Sequence, residues 1–185
     1  MNSREIEEFL SELKAYGISN DIPNVTEKGA QFLKDMIKIK KPKNILEIGT
    51  ANGYSTIQMG IVAQKIGTKI TTIEFSPLSR KQALNNFKTV GFDNFINSLE
   101  GNALDIIPTL EEKYDFIFID GMKKRYLDFL NLIWDKTESG GVIILDDVIK
   151  FKHKMENFYE FLKEKNIKYN LLPIDEDDGV ILLVR

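Results

Sequence analysis

Apolar and polar positions change their period along this chain, and the changes mark its elements. Near the N-terminus Ile6, Phe9, Leu10 and Leu13 recur at helical spacing, and Gly17 is placed to end that helix. A second helix is expected from Thr26, a capping residue type, with Phe32, Leu33, Met36 and Ile37 as its stripe and Pro42 closing it. From residue 44 onward short apolar runs alternate with longer amphipathic stretches, the pattern of a parallel sheet with crossover helices. Strands are predicted at Asn44–Ile48, Lys69–Phe75, Phe95–Leu99, Tyr114–Ile119, Val142–Leu145, Ile167–Leu172 and Gly179–Val184. The predicted crossover helices run from Tyr54 to Ile66, from Ser76-Pro77 to Val90, from Asn102 to Pro108, from Met122 to Asp135 and from His153 to Lys165. Gly140-Gly141 is expected to turn the chain into the fifth strand. The last two strands would form a hairpin, with one antiparallel strand in an otherwise parallel sheet. Phe129 and Trp134 are spaced for core packing.

The first strand carries the most informative chemistry. Asn44-Ile-Leu-Glu-Ile-Gly-Thr-Ala-Asn-Gly-Tyr54 reads as a buried strand, a loop bracketed by Gly49 and Gly53, and a helix start. The spacing is E-x-G-x-x-x-G rather than G-x-G-x-x-G. A pyrophosphate wants bare amides at a helix N-terminus, and Glu47 at the strand tip would repel it. A carboxylate there suits a cationic or donor-bearing ligand, such as the amino-acid part of S-adenosylmethionine. A nicotinamide-dependent oxidoreductase, or a cofactor-binding protein without catalysis, is the alternative from another class; the missing G-x-G-x-x-G weighs against the former.

Four successive strands end in acids: Glu47, Glu74, Asp120 and the pair Asp146-Asp147. In an open α/β sheet these tips converge on one crevice. Four separate helix caps would leave their repulsion uncompensated, so a shared site is the better account. Glu74 could accept ribose hydroxyls, or cap a helix. Asn102 and Ala103 could meet an adenine edge; Asn102 reads equally as a cap. Asp120, Asp146 and Asp147 form a candidate site for Mg²⁺ or another hard divalent cation. Lys123, three residues past Asp120, could act as a general base if desolvation beside a dication lowers its pKa. Taken alone, Lys123-Lys124-Arg125 reads more simply as a solvated helix face.

Composition narrows the classes further. The chain has 185 residues, 43% hydrophobic and 29% charged, with net charge −3 and no cysteine. One domain is expected, with N-terminal helices over 1–42 and a Rossmann-like core over 43–185. Disulfides, thiolate zinc sites and cysteine nucleophiles are excluded. The charged N-terminus resembles no signal peptide, and no apolar run is long enough for a membrane, so a cytoplasmic location is expected. Lys38, Lys40, Lys41, Lys43 and the group Lys150, Lys152, Lys154 read equally as phosphate contacts or as solvated lysines. His153, the single histidine, is expected on a helix surface.

Read together, Ile45 to Ser55, Ile73-Glu74, Gly101 to Pro108, Tyr114 to Asp120 with Lys123 and Tyr126, and Gly140 to Val148 resemble the metal-dependent O-methyltransferases of the catechol and caffeoyl-CoA type. The segment from Ile22-Pro23 to Met59 is particularly similar to bacterial tRNA 5-hydroxyuridine methyltransferases. The resemblance implies a Rossmann-like α/β fold with strand order 3-2-1-4-5-7-6. It implies S-adenosylmethionine contacts at Val25, Glu47, Gly49, Thr50, Gly53, Ser55, Glu74, Phe75, Asn102, Ala103 and Asp120. It further implies Mg²⁺ at Asp120, Asp146 and Asp147, catalytic roles for Lys123 and Asp120, and a homodimer. The expected acceptor is 5-hydroxyuridine in tRNA, or alternatively a small catechol-like diol. Three features depart from the family pattern: Asp147 replaces a usual Asn, the segment Val148–Lys154 is short, and the N-terminal region is short.

Overall fold

The computed structural model describes residues 1–185. Its strands are β1 (Asn44–Ile48), β2 (Lys69–Glu74), β3 (Ile96–Glu100), β4 (Tyr114–Ile119), β5 (Thr137–Leu145), β6 (Tyr169–Leu172) and β7 (Val180–Val184). They form one seven-stranded sheet in the expected order β3-β2-β1-β4-β5-β7-β6. The first five strands pair in parallel, and β7 runs antiparallel to both β5 and β6.

Both faces of the sheet are covered, so its central strands are apolar almost throughout. Ile45, Phe116 and Phe118 point to one core, against helices α1 (Ser3–Ser19), α2 (Glu27–Lys40), α3 (Tyr54–Ile66) and α4 (Pro77–Val90). Leu46, Ile48, Ile117 and Ile119 point to the other, against α5 (Ala103–Ile106), α6 (Tyr126–Trp134) and α7 (Glu156–Glu164). The period of two along each strand divides these residues between the cores.

Local chemistry explains where most helices start. Asn2 and Glu5 form a capping box at α1. The Thr26 hydroxyl accepts from Gly29 N at 3.0 Å and donates to the Asp175 carboxylate, which ties α2 to the β6–β7 turn. Ser76 caps α4 ahead of Pro77.

Several expected boundaries move. Gly17 does not end α1; it lies buried inside the helix, where an added Cβ would sit 2.2 Å from the Asn24 amide nitrogen. Gly140-Gly141 does not precede β5 but lies within it. Thr137 pairs with Tyr114 and Val142 with Phe116, so the intervening residues bulge, and Gly140 takes φ +72° there. Phe75 falls outside β2 and is exposed. A short 3₁₀ turn, Lys123–Arg125, precedes α6 because Met122 adopts the left-handed conformation. His153 stands exposed in another 3₁₀ turn, Lys152–Lys154, ahead of α7. Phe129 is fully buried and Trp134 packs half-buried against the same core.

A close backbone contact joins the tips of β1 and β4. Asp120 N donates to Ile48 O at 2.9 Å, and a Cβ added to Gly49, at φ +104°, would lie 2.2 Å from the Asp120 carbonyl oxygen. Gly49→Ala is therefore expected to cost about 3 kcal/mol or more, because neither strand tip can move without breaking the ladder. Gly91→Ala, also at positive φ but with nothing within 4 Å, should cost only about 1 kcal/mol. Urea unfolding of the two variants checks the contrast.

Candidate active site

The carboxyl ends of β1, β2 and β4 open into a cleft of about 370 Å³. Its walls include Val25, Gly49, Thr50, Ser55, Glu74, Phe75, Ala103 and Asp120, all expected from the sequence. Glu74 anchors the loop between β1 and α3: its two oxygens accept from Ala51 N and Ser76 N, each at 2.8 Å. The first of these bonds holds Ala51 at φ +48°, a conformation alanine seldom adopts.

Three residues expected at the ligand do not reach the cleft surface. Glu47 is fully buried one layer beneath it and is not among its lining residues. Its carboxylate accepts hydroxyl hydrogen bonds from Ser55 (2.6 Å), Thr72 (2.6 Å) and Thr56. Gly53 serves packing, since a Cβ at its φ of +88° would lie 2.7 Å from the Phe87 ring. Asn102 caps α5 by accepting from Leu104 N at 3.1 Å, the simpler of its two readings.

Other cleft residues were not among the expected contacts. Gly101 and Gly121 follow strand tips and could have been found by the reasoning that found Gly49. Pro23 and Asn24 come from the α1–α2 connection, and Met122 owes its position to the left-handed turn after Asp120.

Asp120 also belongs to a second group of charges. Lys123 Nζ lies 2.6 Å from Asp120 Oδ1 and 2.8 Å from Asp147 Oδ2, with the lysine side chain only 14% exposed. Asp147 occupies the left-handed region at φ +56°, which turns it toward the same side as Asp146. The Tyr126 hydroxyl, buried, donates to Asp146 O at 2.9 Å and Ile119 O at 3.2 Å, clasping the tips of β4 and β5 together. Burial, then Asp120 and Asp147, push the Asp146 carboxyl well above the usual carboxylate range. Burial also raises Asp147, against the opposing pull of Lys123.

The expected lowering of the Lys123 pKa requires a neighbouring dication; the protein's own groups act in the other direction. Burial pulls it down, but Asp120, Tyr126 and Asp147 outweigh burial and hold it above its ordinary value. As it stands the side chain is a counter-ion. With the ammonium between Asp120 and Asp147, no three acidic or histidine side chains converge to hold a metal ion.

The other candidate residues lie apart. Lys41 and Lys43 lead into the start of β1, the opposite end of the sheet from the cleft. Lys38 pairs with Asp35 at 2.8 Å and Lys150 with Asp177 at 3.0 Å. Tyr159 and Lys163 have the Tyr-x-x-x-Lys spacing of some dehydrogenases, but they line a separate surface hollow, and the tyrosine hydroxyl donates to Val148 O at 2.7 Å. No helix is long and apolar enough to cross a membrane.

A family model described as O-methyltransferase matches residues 1–180. A catechol O-methyltransferase of Niastella koreensis is 33% identical over 131 residues, covering 69% of this chain and 59% of that protein. A caffeoyl-CoA O-methyltransferase of Medicago sativa is 33% identical over 125 residues, covering 64% and 50%. The match thus spans between half and two thirds of these relatives' length. Among solved structures, an O-methyltransferase from Bacillus cereus in complex with SAH superposes with TM-score 0.84 at 25% identity, covering 95% of this chain and 90% of that one. A putative caffeoyl-CoA O-methyltransferase from Staphylococcus aureus gives 0.85 at 27%, covering 95% and 92%.

Burial, aided by Asp120, raises the Glu47 carboxyl to about 7 from 4.5, although three hydroxyls pull it down. A carboxyl raised in the fold favours folding while protonated, and that contribution is lost as pH climbs through the folded value. Wild-type stability is therefore expected to fall relative to Glu47→Gln by up to about 3 kcal/mol between pH 4.5 and 8. Urea unfolding at a series of pH values measures this; a pH-independent difference would refute it.

Proposed function

This chain belongs to the O-methyltransferase family, and on that premise we propose that it moves the methyl group of S-adenosylmethionine to a hydroxyl oxygen. We take the acceptor to be a small molecule with adjacent hydroxyls, and the acidic group to hold a divalent cation such as Mg²⁺. One observation carries the reading: Asp120 lines the cleft and also belongs to the carboxylate group, so the two sites share a wall. The catechol and caffeoyl-CoA names of its relatives support the acceptor class.

The cleft residues suit the cofactor. Ser55 Oγ spends its proton on Glu47, which leaves lone pairs free to receive the cofactor's ammonium. Glu47 thus acts beneath the surface, by orienting that hydroxyl. Glu74 would accept the ribose hydroxyls while its amide bonds keep the loop in place. Gly49 and Gly101, both at positive φ, give bare backbone where a ligand must approach closely. The sulfonium supplies the electrophilic methyl, and the protein's part is to hold it in line with the acceptor oxygen.

The carboxylates suit a hard cation by chemistry. Asp120, Asp146 and Asp147 offer only oxygen donors, the donor type that hard divalent cations take. When bound, such an ion stabilises the deprotonated acceptor oxygen near neutral pH. Lys123 pairs with two of these carboxylates and, once a bound ion has taken them over, would be free to lose its own proton and take the acceptor's.

A second reading, 5-hydroxyuridine in tRNA, is favoured by one feature. The connection from β5 to α7 is short, and Lys152 and Lys154 stand exposed within it. Lys38 to Lys43 cannot help there, because they lie at the far end of the sheet.

Release of S-adenosylhomocysteine with a catechol-type diol, or with hydroxyuridine-bearing tRNA, tests the acceptor. Asp120→Ala and Asp146→Ala are expected to lower kcat/KM by about 10³-fold or more, and Lys123→Ala by about 10²-fold. Wild-type rates in both aspartate variants would refute the cation assignment. If tRNA binding does not weaken as salt rises, the RNA reading fails.

A further inference from the structure

We infer that the Lys123 ammonium is the resident cation of the acidic group, and that a divalent ion enters only by displacing it. This rests on the reading that Asp120, Asp146 and Asp147 take such an ion. The geometry is specific. After β4 the chain passes Asp120 and Gly121, reverses at Met122 (φ +48°), and so aims the next side chain back at the strand tip. Lys123 Nζ then bridges Asp120 at 2.6 Å and Asp147 at 2.8 Å, carboxylates from two different strand ends. The Tyr126 ring, its centroid 5.6 Å from Nζ, gives the ammonium a third favourable neighbour.

Three aspartates face a single ammonium there, so acidic groups are in excess. A dication with the lysine still between Asp120 and Asp147 would have to share their oxygens with it. With the lysine swung away, the ion would neutralise that excess and gain both carboxylates. The two cations therefore compete for the same oxygens, and the ion pair must be broken before the divalent ion gains its ligands. Asp147 strengthens the competitor. An asparagine there would keep an oxygen donor but would remove one of the two charges that hold the ammonium. Lys124, the next residue, is exposed and makes no ion pair, so it carries the same charge nearby without occupying the site.

The test is Mn²⁺ binding to the purified protein, followed by calorimetry and by the loss of free-ion electron paramagnetic resonance signal. Lys123→Met is expected to bind Mn²⁺ about tenfold more tightly than wild type, since the competitor is gone. Lys123→Gln should do the same and serves if the methionine variant fails to fold. Lys124→Met should leave the affinity within about twofold of wild type, because an exposed charge is screened. Wild-type binding that the Lys123 variants leave unchanged or weaken would overturn the inference while the divalent-ion reading stands. Equal tightening by Lys124→Met would also overturn it, in favour of a general charge effect. No saturable binding in any of the proteins would bring down both.

Discussion

The close approach of the β1 and β4 tips is the constraint on which the site depends. Only glycine fits at position 49, because the Asp120 carbonyl occupies the space of its Cβ. That contact sets the glycine loop that follows β1 directly against the residue that follows β4. Asp120 can then belong to two groups at once, the cleft wall and the carboxylate group. A slip of one residue in either strand would turn Asp120 to the other face and separate them.

The fold gathers acids at the carboxyl ends of the central strands and compensates each one differently. Glu74 is held by backbone amides, Glu47 by hydroxyls, and Asp120 and Asp147 by a lysine. Hydroxyl dipoles compensate a fully buried carboxylate only in part, so Glu47 titrates near neutrality. Asp146 has no ion-pair partner and is raised furthest from the usual carboxylate range among the acids at the β5 tip. These differences separate the acids by surroundings: Glu47 orients a hydroxyl, Glu74 holds a loop, and Asp120 and Asp147 share a lysine.

Much of this was legible because it is local. The strands β1 and β4 and the helices α3 and α4 follow from apolar runs, caps and prolines that act within a few residues. The acids at the strand tips were legible because parallel strands bring their carboxyl ends to one side whatever their order. Asn102 was ambiguous because a cap and a ligand contact use the same side-chain oxygen. Gly17 and Gly140 were misjudged because a glycine marks a need for space or for a positive φ and does not say which. Gly17 gives space to Asn24, and Gly140 permits a bulge that the Arg185 backbone pairs across.

By itself the sequence determined that this is a doubly covered parallel sheet with an acid at each central strand tip, since hydrophobic periodicity and strand ends are properties of neighbouring residues. Only the tertiary structure decided which acid faces the cleft, which lies beneath it, and which is paired. Glu47 and Asp120 look alike as strand-end acids. The first is roofed by Ser55, Thr56 and Thr72, and the second shares Lys123 with Asp147. Lys123 is local to Asp120, but Thr72 over Glu47 and Asp147 across the same lysine come from residues distant in sequence, so the local pattern did not tell the two apart.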